Sequence, residues 1–245
     1  MKESIYTIPV NEAFDKKCGC PFCTLYLKLE NNRVEYTLGA SMMEPDARIL
    51  TNSMGFCKKH FDMLLKIPNK LSLALVLDTH LEEIRKKLSG SKDSLKNEGK
   101  KTLFSKKASF AEKLSLSLEA IESTCVICSQ VDETMERYIE VFFYMFEHEK
   151  EFRKKAEEAP YYCIPHYKML VSRAEKYLRG DKLNEFLLFI IEKQEQALAD
   201  LNADVHKFTL KFDYRNKDMP WGTAETAPKR CVYAIGGQMY QDEEE

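Results

Sequence analysis

Apolar residues recur along most of this chain at the three- and four-residue spacing of amphipathic helices, interrupted by short proline- and glycine-containing breaks. Residues up to about Lys17 read as irregular, and Thr24 to about Ala40 as a helix. Met42-Met43-Glu44-Pro45-Asp46 breaks that helix, because proline disfavours the helical region for the residue before it. Cys57 to Lys66 predicts a short helix, and Pro68-Asn69 open another with Leu71, Leu75, Leu81, Ile84 and Leu88 on its apolar side. Beyond Gly90 the pattern lapses. It resumes with helices over Ser109 to Ser123, Val131 to about Glu158 (bent near Glu147), Tyr167 to Leu178, and Lys182 to about Lys207, the last after a cap-like Arg179-Gly180-Asp181 turn. From Lys211 onward, Phe212, Tyr214 and the lone Trp221 sit among prolines and glycines, which predicts a strap folded back on the helices and ending in a frayed acidic stretch, Gln241 to Glu245.

Only 9 glycines and 8 prolines in 245 residues favour this all-α reading over a turn-dense β architecture. An apolar content of 44% supplies a core, which excludes a disordered chain. The net charge of −2 provides no global field for nucleic acid or anionic membrane. Met1 to Phe14 lacks the apolar region of an export signal. The longest uninterrupted apolar run, Phe186 to Ile191, is far short of the ~18 residues that span a bilayer. The expectation is a cytoplasmic protein with no membrane partner. Gly90 to Lys107 carries six lysines against Asp93 and Glu98, and reads as a solvated connector. The expected organisation is a helical module at 1–90, a basic linker at 91–108, a second helical module at 109–212, and a strap or tail at 213–245.

The candidate chemistry lies in a pattern that occurs twice. Cys20 and Cys23 form C-x-x-C, and Cys57 and His60 form C-x-x-H after 33 intervening residues; Cys125 and Cys128, then Cys163 and His166, repeat the order with 34 between. His60-Phe61-Asp62-Met63-Leu64 and His166-Tyr167-Lys168-Met169-Leu170 also correspond, which reads as an internal duplication. In a reducing compartment such cysteines are metal ligands or redox thiols rather than disulfides. Three cysteines and one histidine make a closed tetrahedral zinc set, and the three-residue spacing lets two donors converge from a first helical turn. Two Zn2+ ions are expected, one per half. Iron–sulfur clusters are the rival and fit less well, since their ligands are mostly all cysteine. Buried apolar cysteines are the bland alternative.

Outside the pattern, Cys18 is a spare ligand or resolving thiol, or incidental. Cys231 reads as a lone thiol, and His80, His148 and His206 as isolated helical residues. Glu44, Asp46, Arg48 and Asn52 form a polar cluster with no counterpart in the second half; a capped turn is the plain reading and a ligand or partner patch the functional one.

Cys18-Gly-Cys-Pro-Phe-Cys23, Met43-Glu-Pro-Asp-Ala-Arg48, Gly55-Phe-Cys-Lys-Lys-His60 and Lys211-Phe-Asp-Tyr-Arg-Asn216 together resemble an uncharacterised bacterial family, found chiefly in anaerobes and classed as a domain of unknown function. The resemblance spans essentially the whole chain and implies no catalytic residues. The sequence therefore points to two helical modules organised by Cys3His zinc sites, acting as an interaction or regulatory protein with a protein partner. No nucleotide loop, nucleophile triad or H-E-x-x-H motif supports catalysis. The alternatives are a redox sensor or metalloenzyme using Cys18 and the first metal site, and a nucleic-acid binder using the linker lysines.

Overall fold

In the computed structural model, which describes residues 5–17, 19–98 and 109–237, eleven α-helices carry the chain and no strand occurs among these residues. They are α1 (Thr7–Asp15), α2 (Pro21–Leu38), α3 (Pro45–Met54), α4 (Lys58–Lys66), α5 (Lys70–Glu98), α6 (Phe110–Glu122), α7 (Val126–His148), α8 (Lys150–Glu158), α9 (Ile164–Tyr177), α10 (Gly180–Leu210) and α11 (Ala227–Gly236). No helix among the described residues is long and apolar enough to cross a membrane.

The chain forms two compact units, and they do not follow each other along it. The first comprises residues 1–28 and 133–245; the second is residues 29–132, set within it, and α2 and α7 contribute residues to both. The expected order, one module before the linker and one after it, is therefore not how the compact units divide.

The first unit is organised by aromatic rings. Phe14, Phe22, Phe142 and Phe152 are all buried, with Phe14 stacked on Phe142 at 5.6 Å and Phe22 meeting Phe142 edge-on at 5.3 Å. Such pairs add directional attraction to the area they bury. This packing accounts for α1, which the sequence pattern left irregular: Val10 and Phe14, one helical turn apart, both lose all but about 1% of their exposure. Lys155 on α8 then ties Asp15 (2.8 Å) and Asn11 (3.1 Å). The expected long helix from Val131 to Glu158 is two helices parted at Glu149, whose backbone is extended. The C-terminal segment does pack on the helices, through α11 against α9 and α10 and through Trp221 against Phe208 at 5.4 Å.

The second unit packs α3 and α4 against α5 around Leu64, Leu73 and Val76. Here the sequence reading needs two corrections. Residues Gly90 to Glu98 continue α5 instead of opening a linker, and 99–108 lie outside the described residues. The expected apolar side of α5 is largely exposed: Leu71, Leu75, Leu81 and Leu88 face solvent, while Leu73, Val76 and His80 are buried. Leucine periodicity identified the helix but not the face that the rest of the unit covers.

Replacing Phe142 with alanine should cost about 3–5 kcal/mol of stability through the cavity it leaves. Tyr214→Ala, at an exposed ring, should stay within about 0.5 kcal/mol of the parent. Denaturant melts of the two variants check both expectations.

Candidate metal centres

All four ligand pairs occupy the same local structure. Cys20, Cys57, Cys125 and Cys163 each stand immediately before a helix, and their carbonyls accept the first intrahelical bonds, from Thr24, Phe61, Ser129 and Tyr167 respectively. Cys23, His60, Cys128 and His166 follow three residues later, in the first turn. The x-x spacing thus puts both donors at one helix N-terminus, where unpaired amides and the helix dipole favour thiolate over thiol.

The four N-termini meet in two pairs. Cys20, Cys23, Cys163 and His166 form one set, within the first unit, and Cys57, His60, Cys125 and Cys128 the other, within the second. The eight expected ligands are brought together, but not in the expected partition. Each set takes its C-x-x-C from one half of the sequence and its C-x-x-H from the other.

In the first set, His166 Nδ1 lies 3.6, 3.4 and 3.0 Å from the sulfurs of Cys20, Cys23 and Cys163, and Cys23 and Cys163 are 3.5 Å apart. In the second, His60 Nδ1 lies 3.3, 3.2 and 3.4 Å from the sulfurs of Cys57, Cys125 and Cys128, and Cys57 and Cys128 are 3.8 Å apart. A tetrahedron with metal–sulfur bonds of about 2.3 Å and a metal–nitrogen bond of about 2.0 Å has S···S edges of about 3.8 Å and S···N edges of about 3.5 Å. The donor atoms are thus spaced as such an ion requires. Both histidines present the same nitrogen, and the four donors of each set would fill every position of a tetrahedral ion.

Crowded thiolates also need a counter-charge. Burial and the neighbouring Cys163 and Cys23 push the Cys20 thiol well up, while Cys163 and Cys20 draw Cys23 far below the ordinary thiol range. In the second set burial acts to raise Cys125, but His60 and the backbone amides of Cys128 and Cys57 outweigh it and bring it to about 6, and Cys128 is pushed up. One sulfur in each group ionises easily while Cys20 in the first and Cys128 in the second resist, as expected where negative charges share a small space.

The surroundings of the two centres differ. His60 Nε2 donates to Glu30 Oε1 at 3.1 Å, Lys59 donates to the same carboxylate at 2.6 Å, and Glu30 is fully buried. Burial alone would raise the Glu30 pKa; the bonds from His60 and Lys59 reverse that and lower it. A carboxylate behind the ligand nitrogen fixes the tautomer that leaves Nδ1 free for a metal. His166 Nε2 has no such partner among the described residues; its ring lies against Phe22 and Tyr26 instead. Exposure differs too: Cys20, Cys23 and Cys163 are buried, whereas Cys57 and Cys128 are half-exposed. Glu30 had no mark in the sequence, being one of many acidic residues on a long helix.

Short bonds hold the second set in register. Val126 N donates to Gly55 O at 3.0 Å and Thr124 Oγ1 to Met54 O at 2.7 Å, joining the two ligand turns directly. Gly55 adopts φ +62°, and a Cβ there would come within 2.5 Å of the buried His80 ring, so glycine is required twice over.

Of the remaining candidates, Cys18 lies outside the described residues. Arg48 and Asn52 converge on Thr79 of α5, with Arg48 Nη2 also donating to Leu75 O at 2.7 Å. Glu44 accepts from Tyr36 at 2.9 Å, and Asp46 stands exposed in the first turn of α3, which Pro45 opens. The cluster thus pins α3 to α5. Cys231 is half-buried, its sulfur 3.8 Å from Leu201 O.

Residues 1–242 match the model of a family of unknown function (DUF6062), and the chain belongs to that family. No curated protein and no solved structure matches it.

The partition of ligands is testable by metal counting. Cys20→Ser with Cys163→Ser should leave one ion per chain, and Cys20→Ser with Cys57→Ser none; pairing within each half would give none for the first variant and one for the second. Glu30→Gln should weaken metal retention about 10- to 100-fold at the Cys57 centre alone, read by competition with a chelating dye.

Proposed function

We propose that each centre holds one zinc ion in a purely structural role, and that the protein works in the cytoplasm by binding another protein. The observation that carries this reading is closure. Each set supplies four donors from rigid helix starts, whereas a catalytic zinc keeps one position for water or substrate. Mixed sulfur–nitrogen donors at these spacings favour zinc over an iron–sulfur cluster. Filled, such a site contributes on the order of 10 kcal/mol, comparable with the whole stability of a domain. A protein partner is favoured over nucleic acid by the exposed Leu81, Leu88 and Leu95, heptad-spaced along α5.

A second reading, thiol-based sensing, draws on the half-exposed Cys57 and Cys128 rather than on Cys18. Oxidation there would expel the metal and loosen the second unit, because sulfur joined to sulfur no longer coordinates as thiolate.

Protein purified without air should contain two zinc ions per chain and show no visible cluster absorption. Exhaustive chelation should lower the melting temperature by roughly 20 °C or more. Iron in place of zinc, or melting indifferent to chelation, would remove the structural-zinc reading. Rapid peroxide-driven zinc release that thiols reverse, with a Cys57–Cys128 disulfide formed as the metal leaves, would instead establish the sensor.

A further inference from the structure

A pocket of about 500 Å³ opens in the first unit between the loop after α1, the loop before α9, α10 and α11. That volume falls within the range of small-molecule sites. Its floor is Tyr161, two residues before Cys163, a side chain that keeps only 7% of its exposure. Among the described residues the Tyr161 hydroxyl has no hydrogen-bond partner. Its oxygen opens into the pocket, where a ligand can accept from it. The space before it is kept open by Gly19, which also lines the pocket: a Cβ at Gly19 would sit 3.1 Å from the hydroxyl oxygen, and its φ of +101° disfavours any other residue.

Lys17, Lys229 and Arg230 line the same pocket, and Arg230 and Lys17 keep donors that a ligand can take up. Arg230 directs Nε to Thr226 and Nη2 to Asp204 and to Thr223 O, which leaves Nη1 without a partner among the described residues. Lys17 holds Glu158 at 2.6 Å with one of its three protons. Lys229 lies over the Tyr233 ring at 5.8 Å. Asp200 is the one carboxylate in the wall, and it accepts from Gln196. Because Glu158 and Asp204 offset two of the cations, the pocket is not a diffuse basic patch. It offers directed N–H and O–H donors beside the Tyr161 and Tyr233 rings and Leu201.

We infer that this pocket binds a small organic anion, with a carboxylate or phosphate headgroup on the Tyr161 hydroxyl and Arg230 Nη1 and a flat apolar body against the rings. An oxyanion accepts from both donors in charge-assisted bonds, stronger than those a neutral acceptor makes, and a cationic headgroup is repelled. The pocket adjoins the first candidate metal centre through Gly19 and Tyr161, but none of that centre's four donor residues lines it.

The test is calorimetric titration of the intact, metal-loaded protein with benzoate and with phenyl phosphate, using tyramine as the cationic control. One or both anions should bind saturably and tyramine should not; which anion binds identifies the headgroup. Tyr161→Phe, which keeps the ring and removes the donor, should weaken that anion about tenfold or more with metal content and melting temperature unchanged. Lys229→Gln, at an exposed position, should weaken it several-fold and reduce the salt dependence of binding. Absence of binding by both anions, tyramine binding as tightly as either, or Tyr161→Phe binding as tightly as the parent would each overturn the assignment.

Discussion

Four helix N-termini, each bearing two donors for a metal, must face one another in pairs, and much else in this protein is arranged around that requirement. Sulfur atoms 3.5–3.8 Å apart repel as they ionise, so the groups stay together only where something offsets the charge. The helix ends supply part of the offset through their dipoles, and a cation held between them would supply the rest. Neighbouring features follow from the same demand. Gly55 turns where no side chain fits, Val126 and Thr124 bind the opposing turn directly, and Phe22 and Tyr26 brace the His166 ring.

The two centres meet the demand by different means. Around His60 the support is electrostatic, a buried carboxylate shared between the imidazole and Lys59. Around His166 it is aromatic packing and the exclusion of water from three sulfurs. A buried carboxylate in place of a hydrophobic wall makes a centre more responsive to its surroundings, because its charge must stay paired to be tolerated. The half-exposed Cys57 and Cys128 add to that contrast. The less protected centre lies in the unit that also carries the exposed leucines of α5.

The helical class, most helices and the eight residues that form the two Cys3His clusters were legible in the sequence, because 3.6-residue periodicity and C-x-x-C spacing are local signals. What was not legible depends on long-range choice. Two C-x-x-C and two C-x-x-H elements can combine in two ways to give identical Cys3His sets, and near-equal spacing in the two halves made the wrong combination look natural. The α5 leucines show the same limit, since a helix with more than one apolar stripe does not announce which stripe is covered. Helix α1 failed the local test because Phe14 is held by rings from distant segments. Glu30 shows that a residue behind a ligand can matter without carrying any pattern of its own.

Nesting residues 29–132 within the first unit has a consequence for how the protein comes into being. A chain synthesised from its N-terminus has every donor of the Cys57 centre once Cys128 has been added, and those donors close loops of 65 to 71 residues. The other centre waits. Cys20 and Cys23 are made early, yet their partners Cys163 and His166 arrive some 140 residues later. Loop-closure entropy grows only logarithmically with length, so the delay is chiefly one of time and exposure rather than of equilibrium. During that interval the nascent chain carries a reactive dithiol next to Cys18, with its eventual shelter of aromatic rings still unmade. The centre that is best protected in the finished molecule is thus the one left unprotected longest during its synthesis.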